Sequence, residues 1–366
     1  MNPRISIFCA MLFGLSLLAM QPATADAWPA WYVPASTTVI VRPVTFTNAG
    51  ATLHGTLYLP QVSHKVPAMV VLHGASEPLA STPLYQHLAQ GLPQLGMAVL
   101  IFDRRGSGAS TGEKDVVYQT LADDGIAGAN ALRQMPEIDA KRVGYWGISQ
   151  GGWLVTMAAA SDPKAAFAVA VSAPLVTAES QMEFAMANRL RVLGYGDGDI
   201  DAMLDARHKL DGYFLGHNSR DAAVSALGKI ADKPWFGQMY LPQPDKVSQD
   251  PAKSSWKGEM DIDFFTTVAE VKVPIFYMLG DADPWVPVAP TAEKLSELEQ
   301  DEDHPHPNLS HVIVPGANHL MMTVAQDKMD DADPAKVAEE VPNSPAYFML
   351  LTAWLEKTVL APAVGH

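Results

Sequence analysis

The chain has 366 residues, which is enough for a large hydrophobic core, and its net charge of −15 results from 40 acidic and 25 basic residues. Nucleic acids and anionic membrane surfaces both bind clustered Lys and Arg, so this charge argues against either partner. Apolar residues make up 48% of the chain and charged residues 18%, as in ordinary globular proteins.

The first residues have the layout of a secretory signal peptide. One Arg precedes an uncharged run over 5–20, and small residues follow in "ATADA". The run is shorter than the ~20 residues that span a bilayer. We therefore expect residues 1–27 to be a signal peptide cleaved after Ala25 or Ala27, and the mature protein to be secreted or periplasmic without a stable membrane anchor. Cleavage would also remove Cys9, the single cysteine.

After this segment, short apolar runs alternate with stretches of helical spacing. Two β-rich runs flank Asn48-Ala49-Gly50 and predict a hairpin. The further predicted strands are 68–73, 97–102, 142–147, 166–172, 274–280 and 310–315. A closing helix is predicted over 344–361. Buried strands that alternate with helices indicate an α/β protein with a mainly parallel sheet of about eight strands and helices on both faces.

The alternation is interrupted once, over residues 175–272. This stretch has helical patterns and a Pro- and Trp-containing segment but no clear strand pattern. We therefore predict a core domain formed by 28–174 and 273–366, with 175–272 as a largely helical cap insertion. A cap above the carboxyl ends of the strands would line a substrate pocket with apolar side chains, although such residues also form a cap's own core. The candidate pocket residues are Met186, Trp235 and Phe236.

The stretch "RVGYWGISQGGWLV" at 142–155 places Ser149 between two glycines, a pattern that recurs around Ser110 in "GASTG". Ser149 follows a strand pattern and precedes a helical one, so a sharp turn would push its hydroxyl out of the sheet edge. The helix start would add N–H groups and partial positive charge beneath it. Ser110 lies in a polar loop. We therefore predict Ser149 as a nucleophile, with an ordinary turn as the alternative.

Five segments together resemble those of known hydrolases. In chain order they are "VVLHGAS", "AVLIFDRRGSGASTG", "GISQGG", "LGDADPWVP" and "PGANH". On these motifs the chain is identified as a member of the α/β-hydrolase-fold serine hydrolases. It is most similar to bacterial secreted or periplasmic esterase-like and serine-aminopeptidase-like members, over about residues 40–360. The resemblance implies an α/β-hydrolase fold and a Ser-acid-His triad in that chain order.

The resemblance makes His319 in "PGANHL" the triad histidine, and it leaves Asp281 and Asp283 as candidate acids. Asp281 directly follows the glycine that ends a predicted strand, where an Asp commonly accepts backbone N–H bonds in the turn. Asp283 precedes Pro284, which favours an extended conformation that can aim the carboxylate at the His loop. In similar hydrolases the acid also lies three residues after the glycine. We therefore predict Asp283 as the acid.

Two backbone N–H groups are expected to bind the developing oxyanion. One is that of Gln150, directly after the nucleophile, and the other is that of Ala75 in the "HGAS" loop. His73 in the same loop is predicted to hold the loop rather than to react. The segment 103–105, Asp-Arg-Arg, resembles loop scaffolding of the family and is predicted to have a salt-bridged structural role.

Together these residues predict a serine hydrolase that cleaves carboxylic esters through an acyl-enzyme, with a small ester or acyl substrate that carries apolar groups. The alternatives are a peptidase or an acyltransferase or thioesterase with the same triad, and a non-catalytic ligand-binding protein on the same fold. No cofactor motif occurs at a strand end. His304 and His306 in "DEDHPHP" could suggest a metal site, but we interpret them as solvated surface and expect no metal.

Overall fold

The computed structural model describes residues 33–76, 78–114, 116–253, 255–301, 306–323 and 344–361. The predicted signal peptide and His304 lie outside these ranges. The described residues form an eight-stranded sheet in the order β1-β2-β4-β3-β5-β6-β7-β8. The strands are β1 (Val39–Asn48), β2 (Ala51–Pro60), β3 (Val66–Leu72), β4 (Ala98–Phe102), β5 (Ile138–Ile148), β6 (Ala168–Val171), β7 (Ile275–Gly280) and β8 (Leu309–Val314).

The sheet is mainly parallel, as predicted. β1 pairs antiparallel with β2, and β2 pairs antiparallel with β4. Each further pairing, from β4 through to β8, is parallel. Because parallel strands end at the same sheet edge, the residues that follow β3, β5, β6, β7 and β8 all meet at one edge.

The predicted hairpin is confirmed. Asn48 pairs with Ala51 across a two-residue turn, in which Ala49 has φ 45° and Gly50 has φ 76°. Two consecutive left-handed residues match the twist of the flanking strands, which is why such turns favour Gly at the second position.

Helices cover both faces of the sheet. The longer ones are α1 (Tyr118–Arg133), α2 (Gln150–Ser161), α3 (Ala178–Val192), α4 (Asp197–Phe214), α5 (Arg220–Gly228), α6 (Phe264–Glu270), α7 (Val288–Gln300) and α8 (Pro345–Leu355). Shorter helical turns lie at Pro83–Tyr85, His87–Gly91, Leu92–Gln94, Phe236–Gln238, Pro244–Lys246, Pro251–Lys253, Ser255–Gly258 and Glu356–Leu360. Within the described ranges, each helix is too short or too polar to cross a membrane.

Alternate residues of the central strands pack on opposite faces. On β3, Val70 and Leu72 join the core that contains α1 and α2, while Met69 and Val71 join the core beneath the helical turns of 83–94 and α8. Both sets are at most 1% exposed. Burial on both faces explains why β3 has a continuous apolar sequence rather than an alternating one.

The stretch between β6 and β7 carries α3 to α6, and its described residues contain no strand. Helices α3, α4 and α5 share a separate hydrophobic core with residues of the 235–260 segment. Helix α6 differs, because its Phe264 and Val268 pack in the core of the sheet. The Phe264 ring stacks on Trp153 of α2 with centroids 4.4 Å apart, so α6 joins this stretch to the central domain.

Candidate active site

Ser149 lies at the turn from β5 into α2, in a backbone conformation that non-glycine residues rarely adopt. Its φ is 57° and its ψ is −125°. The turn is held on both sides, since Ser149 N–H donates to the Val171 carbonyl at 2.8 Å and Gly152 N–H donates to the Ser149 carbonyl at 2.8 Å. A strained residue fixed in this way at the end of a strand is typical of a functional position.

The glycines around Ser149 allow backbone segments to approach closely. A Cβ atom on Gly147 would lie 2.2 Å from the Gly151 carbonyl oxygen, and one on Gly151 would lie 2.1 Å from the Leu72 carbonyl oxygen. Neither position could hold a side chain without movement of the backbone. The start of α2 therefore lies directly against the carboxyl end of β3, beside the loop that contains His73 and Ala75.

Ser110 has a structural environment. Its hydroxyl donates to the Asp103 carbonyl at 2.6 Å and accepts the His54 N–H at 2.9 Å. The residue is 6% exposed and lies in the loop after β4. Ser110 thus joins that loop to β2 rather than starting a helix.

Asp283 and His319 are in direct contact. His319 Nδ1 and Asp283 Oδ2 are 2.8 Å apart, and the Asp283 side chain is 0% exposed. The second oxygen, Oδ1, accepts the backbone N–H groups of Trp285 at 2.8 Å and Val286 at 3.1 Å. These bonds orient the carboxylate toward the imidazole. A carboxylate acceptor at Nδ1 favours the tautomer with the proton on Nδ1, in which Nε2 is the basic nitrogen.

Asp281 binds a different partner. Its Oδ1 accepts the Gly316 N–H at 2.6 Å, so it connects the loop after β7 with the loop after β8. We expected Asp281 to accept backbone N–H groups of its own turn, but the bond crosses to a loop 35 residues away. The close approach of the same two loops is also seen at Gly280, where a Cβ atom would lie 2.3 Å from the Ala317 carbonyl oxygen.

Ser172 is a contributor to the site that the sequence analysis did not identify. It directly follows Val171, has φ 50°, and is 0% exposed. Its hydroxyl donates to the backbone carbonyl of His319 at 2.8 Å. Because Val171 accepts the Ser149 N–H, the end of β6 joins the nucleophile turn to the histidine loop. The signal in the sequence was its place directly after an apolar strand.

The loop after β3 is held by Arg104 in the loop after β4. The Nη2 atom of the Arg104 side chain donates to the His73 carbonyl at 2.9 Å, and the backbone N–H of Arg104 donates to the Pro78 carbonyl at 2.7 Å. His73 is buried, and its Nε2 bonds to the Phe102 carbonyl. These bonds fit the predicted loop-holding role of His73 and fix the backbone on both sides of Ala75. The roles of Ala75 and Gln150 as oxyanion donors stay predictions.

A buried tyrosine lies beside the residue that follows Ser149. Burial raises the pKa of the Tyr118 hydroxyl well above its usual value, and the negative charge of Glu259 raises it further, while a hydrogen bond with the Gln150 side chain acts in the opposite direction. Tyr118 is therefore a neutral hydroxyl at any physiological pH. Glu259, in the stretch between β6 and β7, therefore lies close to Tyr118 at the start of α1.

Helix α3 contacts the loop that carries Asp283. Gln181 Nε2 donates to the Trp285 carbonyl at 2.8 Å, and Asn188 Nδ2 donates to the Pro284 carbonyl at 2.9 Å. These two donors lie seven residues apart, which places them on the same face of the helix. The 283–285 loop is therefore held between the histidine loop and helix α3.

The prediction that Met186, Trp235 and Phe236 line the substrate pocket is not supported. Their exposures are 0%, 1% and 3%, and all three belong to the hydrophobic core of the α3–α5 stretch. Trp235 also donates its indole N–H to Asp199 Oδ1 at 3.1 Å. Helical spacing identified these residues as inward-facing, but the interior they face is that of the cap itself.

His306 is likewise not a solvated surface residue. It is 8% exposed, and its Nε2 bonds to the Val268 carbonyl of α6 at 3.0 Å. Over the ranges that the structure describes, no cluster of three or more His, Cys, Asp or Glu side chains could hold a metal ion.

The amino-acid sequence of this chain is similar to those of known proteins. Residues 49–321 match the sequence profile of the X-Pro dipeptidyl-peptidase (S15) family. A polyketide transferase from Penicillium sp is 31% identical over 203 residues, which are 54% of this chain and 65% of that protein. A thiohydrolase from Arthrinium phaeospermum is 32% identical over 124 residues, or 33% of this chain and 39% of that protein. The chain therefore spans less than two thirds of the length of either relative.

Solved structures with the same fold cover nearly the whole chain. An α/β hydrolase from Penicillium sp. sh18 superposes with a TM-score of 0.53 at 18% identity, covering 87% of this chain and 99% of the other. An esterase of Pyrococcus furiosus superposes with a TM-score of 0.54 at 17% identity, covering 90% and 95%. With the sheet order given above, these similarities confirm the predicted α/β-hydrolase fold.

Proposed function

Because this chain belongs to the X-Pro dipeptidyl-peptidase (S15) family, we propose that it is a hydrolase that cleaves carboxylic esters through Ser149, His319 and Asp283. Its similarity to a protein named a thiohydrolase supports this proposal. The observation that carries the proposal is the 2.8 Å contact of His319 Nδ1 with a buried Asp283 carboxylate. A buried, oriented Asp-His pair supports proton transfer from a hydroxyl at the neighbouring turn.

In the proposed reaction, Ser149 Oγ attacks the acyl carbon while His319 Nε2 takes its proton. The oxyanion is stabilised by the N–H groups of Gln150 and Ala75, aided by the N-terminal end of α2. His319 then returns the proton to the alcohol oxygen as the acyl C–O bond breaks. Water, activated by the same imidazole, hydrolyses the acyl-enzyme and releases the acid. Asp283 stabilises the imidazolium in both steps.

Thioester cleavage is a second candidate, because one relative is named a thiohydrolase and another a polyketide transferase. A thioester reacts through the same acyl-enzyme, so the proposed triad would serve both substrates. The family name points to a third class, an amide bond after proline. A panel with an acetate ester, an acetyl thioester and an aminoacyl-proline anilide separates the three by their kcat/KM values.

The first prediction uses the two copies of the Gly-x-Ser-x-Gly pattern. A fluorophosphonate probe should label the wild-type protein and Ser110→Ala, whereas Ser149→Ala should lose labelling because the reactive oxygen is removed. Mass spectrometry of the labelled peptide gives the site. Labelling of Ser149→Ala at the wild-type rate would show that another residue is the nucleophile. A wild-type protein that neither reacts with the probe nor hydrolyses the panel would instead be a binding protein.

A further inference from the structure

Trp285 makes ring contacts with the proposed catalytic histidine and with Tyr240 of the stretch between β6 and β7. The Trp285 ring lies 6.3 Å from the His319 ring, measured between centroids, with the two planes at 41°. Trp285 also meets Tyr240 edge to face, with centroids 6.0 Å apart and planes at 75°. Trp285 thus contacts both the proposed catalytic histidine and a residue of the stretch between β6 and β7.

The backbone of Trp285 is fixed relative to the triad. Its N–H donates to Asp283 Oδ1 at 2.8 Å, and its carbonyl accepts Gln181 Nε2 at 2.8 Å. The side chain is only partly buried. A partly exposed indole beside the imidazole, on a backbone held by these two bonds, offers an apolar surface next to His319.

Tyr240 is held outward from the cap core. It is 70% exposed and has φ 51°, a conformation that is costly for a residue with a side chain. The preceding residue, Met239, is 0% exposed, and its carbonyl accepts Arg207 Nη2 at 3.2 Å. The buried side of the turn therefore imposes the strained backbone that presents the Tyr240 ring to solvent. Strain maintained by surrounding packing is typical of functional positions.

A second exposed ring lies on the adjacent helix. Phe184 of α3 is 36% exposed, and it lies three residues after Gln181 and four before Asn188. This spacing places it on the helix face that contacts the 284–285 backbone. Exposed aromatic rings on neighbouring segments form an apolar surface that a flat apolar ligand would bury.

We propose that Trp285 and Tyr240 form the subsite for the leaving group, and that the preferred esters carry an aromatic ring on the alcohol side. This inference rests on the proposed function. It follows from the role of His319, which must reach the oxygen of the departing alcohol in order to protonate it. The surface next to the imidazole therefore faces the alcohol rather than the acyl group.

The chemical step balances without another reactant. The bond from Ser149 Oγ to the acyl carbon forms, and the bond from that carbon to the alcohol oxygen breaks. The Ser149 proton passes to His319 Nε2 and then to the alcohol oxygen. The aromatic alcohol leaves along Trp285 and Tyr240, and water later cleaves the acyl-enzyme to the acid.

The test compares esters that share one acyl group. Benzyl acetate and cyclohexylmethyl acetate form the same acetyl-enzyme, so their ratio of kcat/KM, corrected for their alkaline hydrolysis rates, reports on the leaving-group subsite alone. We expect the wild-type enzyme to prefer the benzyl ester by about 3- to 10-fold, the range typical of aromatic pairs. Tyr240→Ala should lower the ratio, because only the Trp285 ring remains in the subsite, and Tyr240→Phe should retain it.

Tyr195→Ala is the matched control, because Tyr195 lies in the same stretch but its ring contacts Trp235 rather than Trp285. Its ratio should equal that of the wild type.

Methyl phenylacetate and methyl cyclohexylacetate test the acyl side. A Tyr240-dependent aromatic preference in this second pair alone would overturn the leaving-group assignment.

Two outcomes would overturn the proposed subsite while leaving the proposed function intact. In one, the wild type hydrolyses the esters but does not prefer the benzyl ester. In the other, Tyr240→Ala retains the full benzyl preference. Failure of the wild type to hydrolyse any of the four esters, together with absent probe labelling at Ser149, would instead overturn the proposed function and this inference with it. Unfolding midpoints of the variants check that a lost preference does not reflect a lost fold.

Discussion

At the scale of single residues, two aspartates in the same loop bind different partners. Asp283 contacts the imidazole of His319 at 2.8 Å, while Asp281 accepts the backbone N–H of Gly316 at 2.6 Å. The Asp283 side chain is fully buried, whereas Asp281 lies at the exposed surface. In the proposed reaction the first carboxylate assists proton transfer, whereas the second holds two loops together.

Replacement of each aspartate by Asn should therefore have separable effects. Asp283→Asn removes the acceptor that sets the His319 tautomer, so kcat should fall by up to ~10⁴-fold, with the fold retained. Asp281→Asn should lower the free energy of unfolding by about 1 kcal/mol through one weakened hydrogen bond, with a small effect on kcat. Steady-state kinetics and urea midpoints of both variants measure this. A collapse of kcat in Asp281→Asn with Asp283→Asn nearly normal would reverse the assignment.

At the scale of elements, two consecutive arginines after β4 hold different parts of the fold. Arg104 donates to the His73 carbonyl and so positions the loop after β3. Arg105 forms a buried ion pair with Asp124 of α1 at 2.5 Å. The hydrogen bond with Asp124 raises the pKa of Arg105, which keeps the guanidinium charged. The loop scaffolding predicted for this segment thus includes a bond from Arg104 to the loop after β3 and an ion pair of Arg105 with α1.

Substitution of each arginine by Met should separate these two roles. Arg104→Met releases the loop that presents the Ala75 N–H, and we expect kcat to fall by about 10- to 100-fold, somewhat less than the loss of a whole oxyanion donor. Arg105→Met leaves the Asp124 carboxylate buried without its cation, and it should lower the free energy of unfolding by about 3 kcal/mol or more. Equal effects of both variants on kcat and on stability would refute separate roles.

At the scale of the whole molecule, a buried histidine joins distant parts of the chain. His87 Nδ1 bonds to the Leu84 carbonyl at 2.9 Å, and Nε2 bonds to the Tyr347 hydroxyl of α8 at 3.0 Å. Tyr347 also accepts the Trp146 indole N–H of β5 at 3.2 Å. Burial lowers the pKa of His87 to about 4. The folded protein therefore keeps this imidazole neutral, whereas the unfolded chain protonates it near its ordinary pKa of about 6.5.

This difference predicts how stability depends on pH. The contribution of neutral His87 is present above about pH 6.5 and is lost as the pH falls toward 4, because the unfolded chain binds the proton first. Between pH 7 and pH 5 the wild type should lose about 2 kcal/mol of unfolding free energy that His87→Gln does not lose. Urea unfolding of the wild type and of His87→Gln at several pH values isolates the contribution of His87. All other titratable groups are present in both proteins, so their effects cancel in the difference. Parallel pH dependences would show that His87 does not contribute.

Much of the framework could be predicted from local patterns. Continuous apolar runs marked the strands of a sheet buried on both faces, and "NAG" marked the hairpin because two left-handed residues are needed there. Ser149 could be identified from its position between a strand pattern and a helical pattern. Asp283 and His319 were identified from the resemblance of their motifs to those of the α/β-hydrolase family, and the catalytic roles of all three stay predictions.

Contacts between distant segments could be decided only by the tertiary structure. Helical spacing predicted that Met186 and Trp235 face inward, yet only the packing of α3 to α5 revealed that they face the separate core of this stretch. The bond of Ser172 to His319 spans 147 residues, and the contact of Tyr240 with Trp285 depends on how the cap lies on the loop after β7. The physical reason is that the spacing of apolar residues along a helix or strand specifies which side of that element is buried. Which residues lie against that side depends on how the elements pack together.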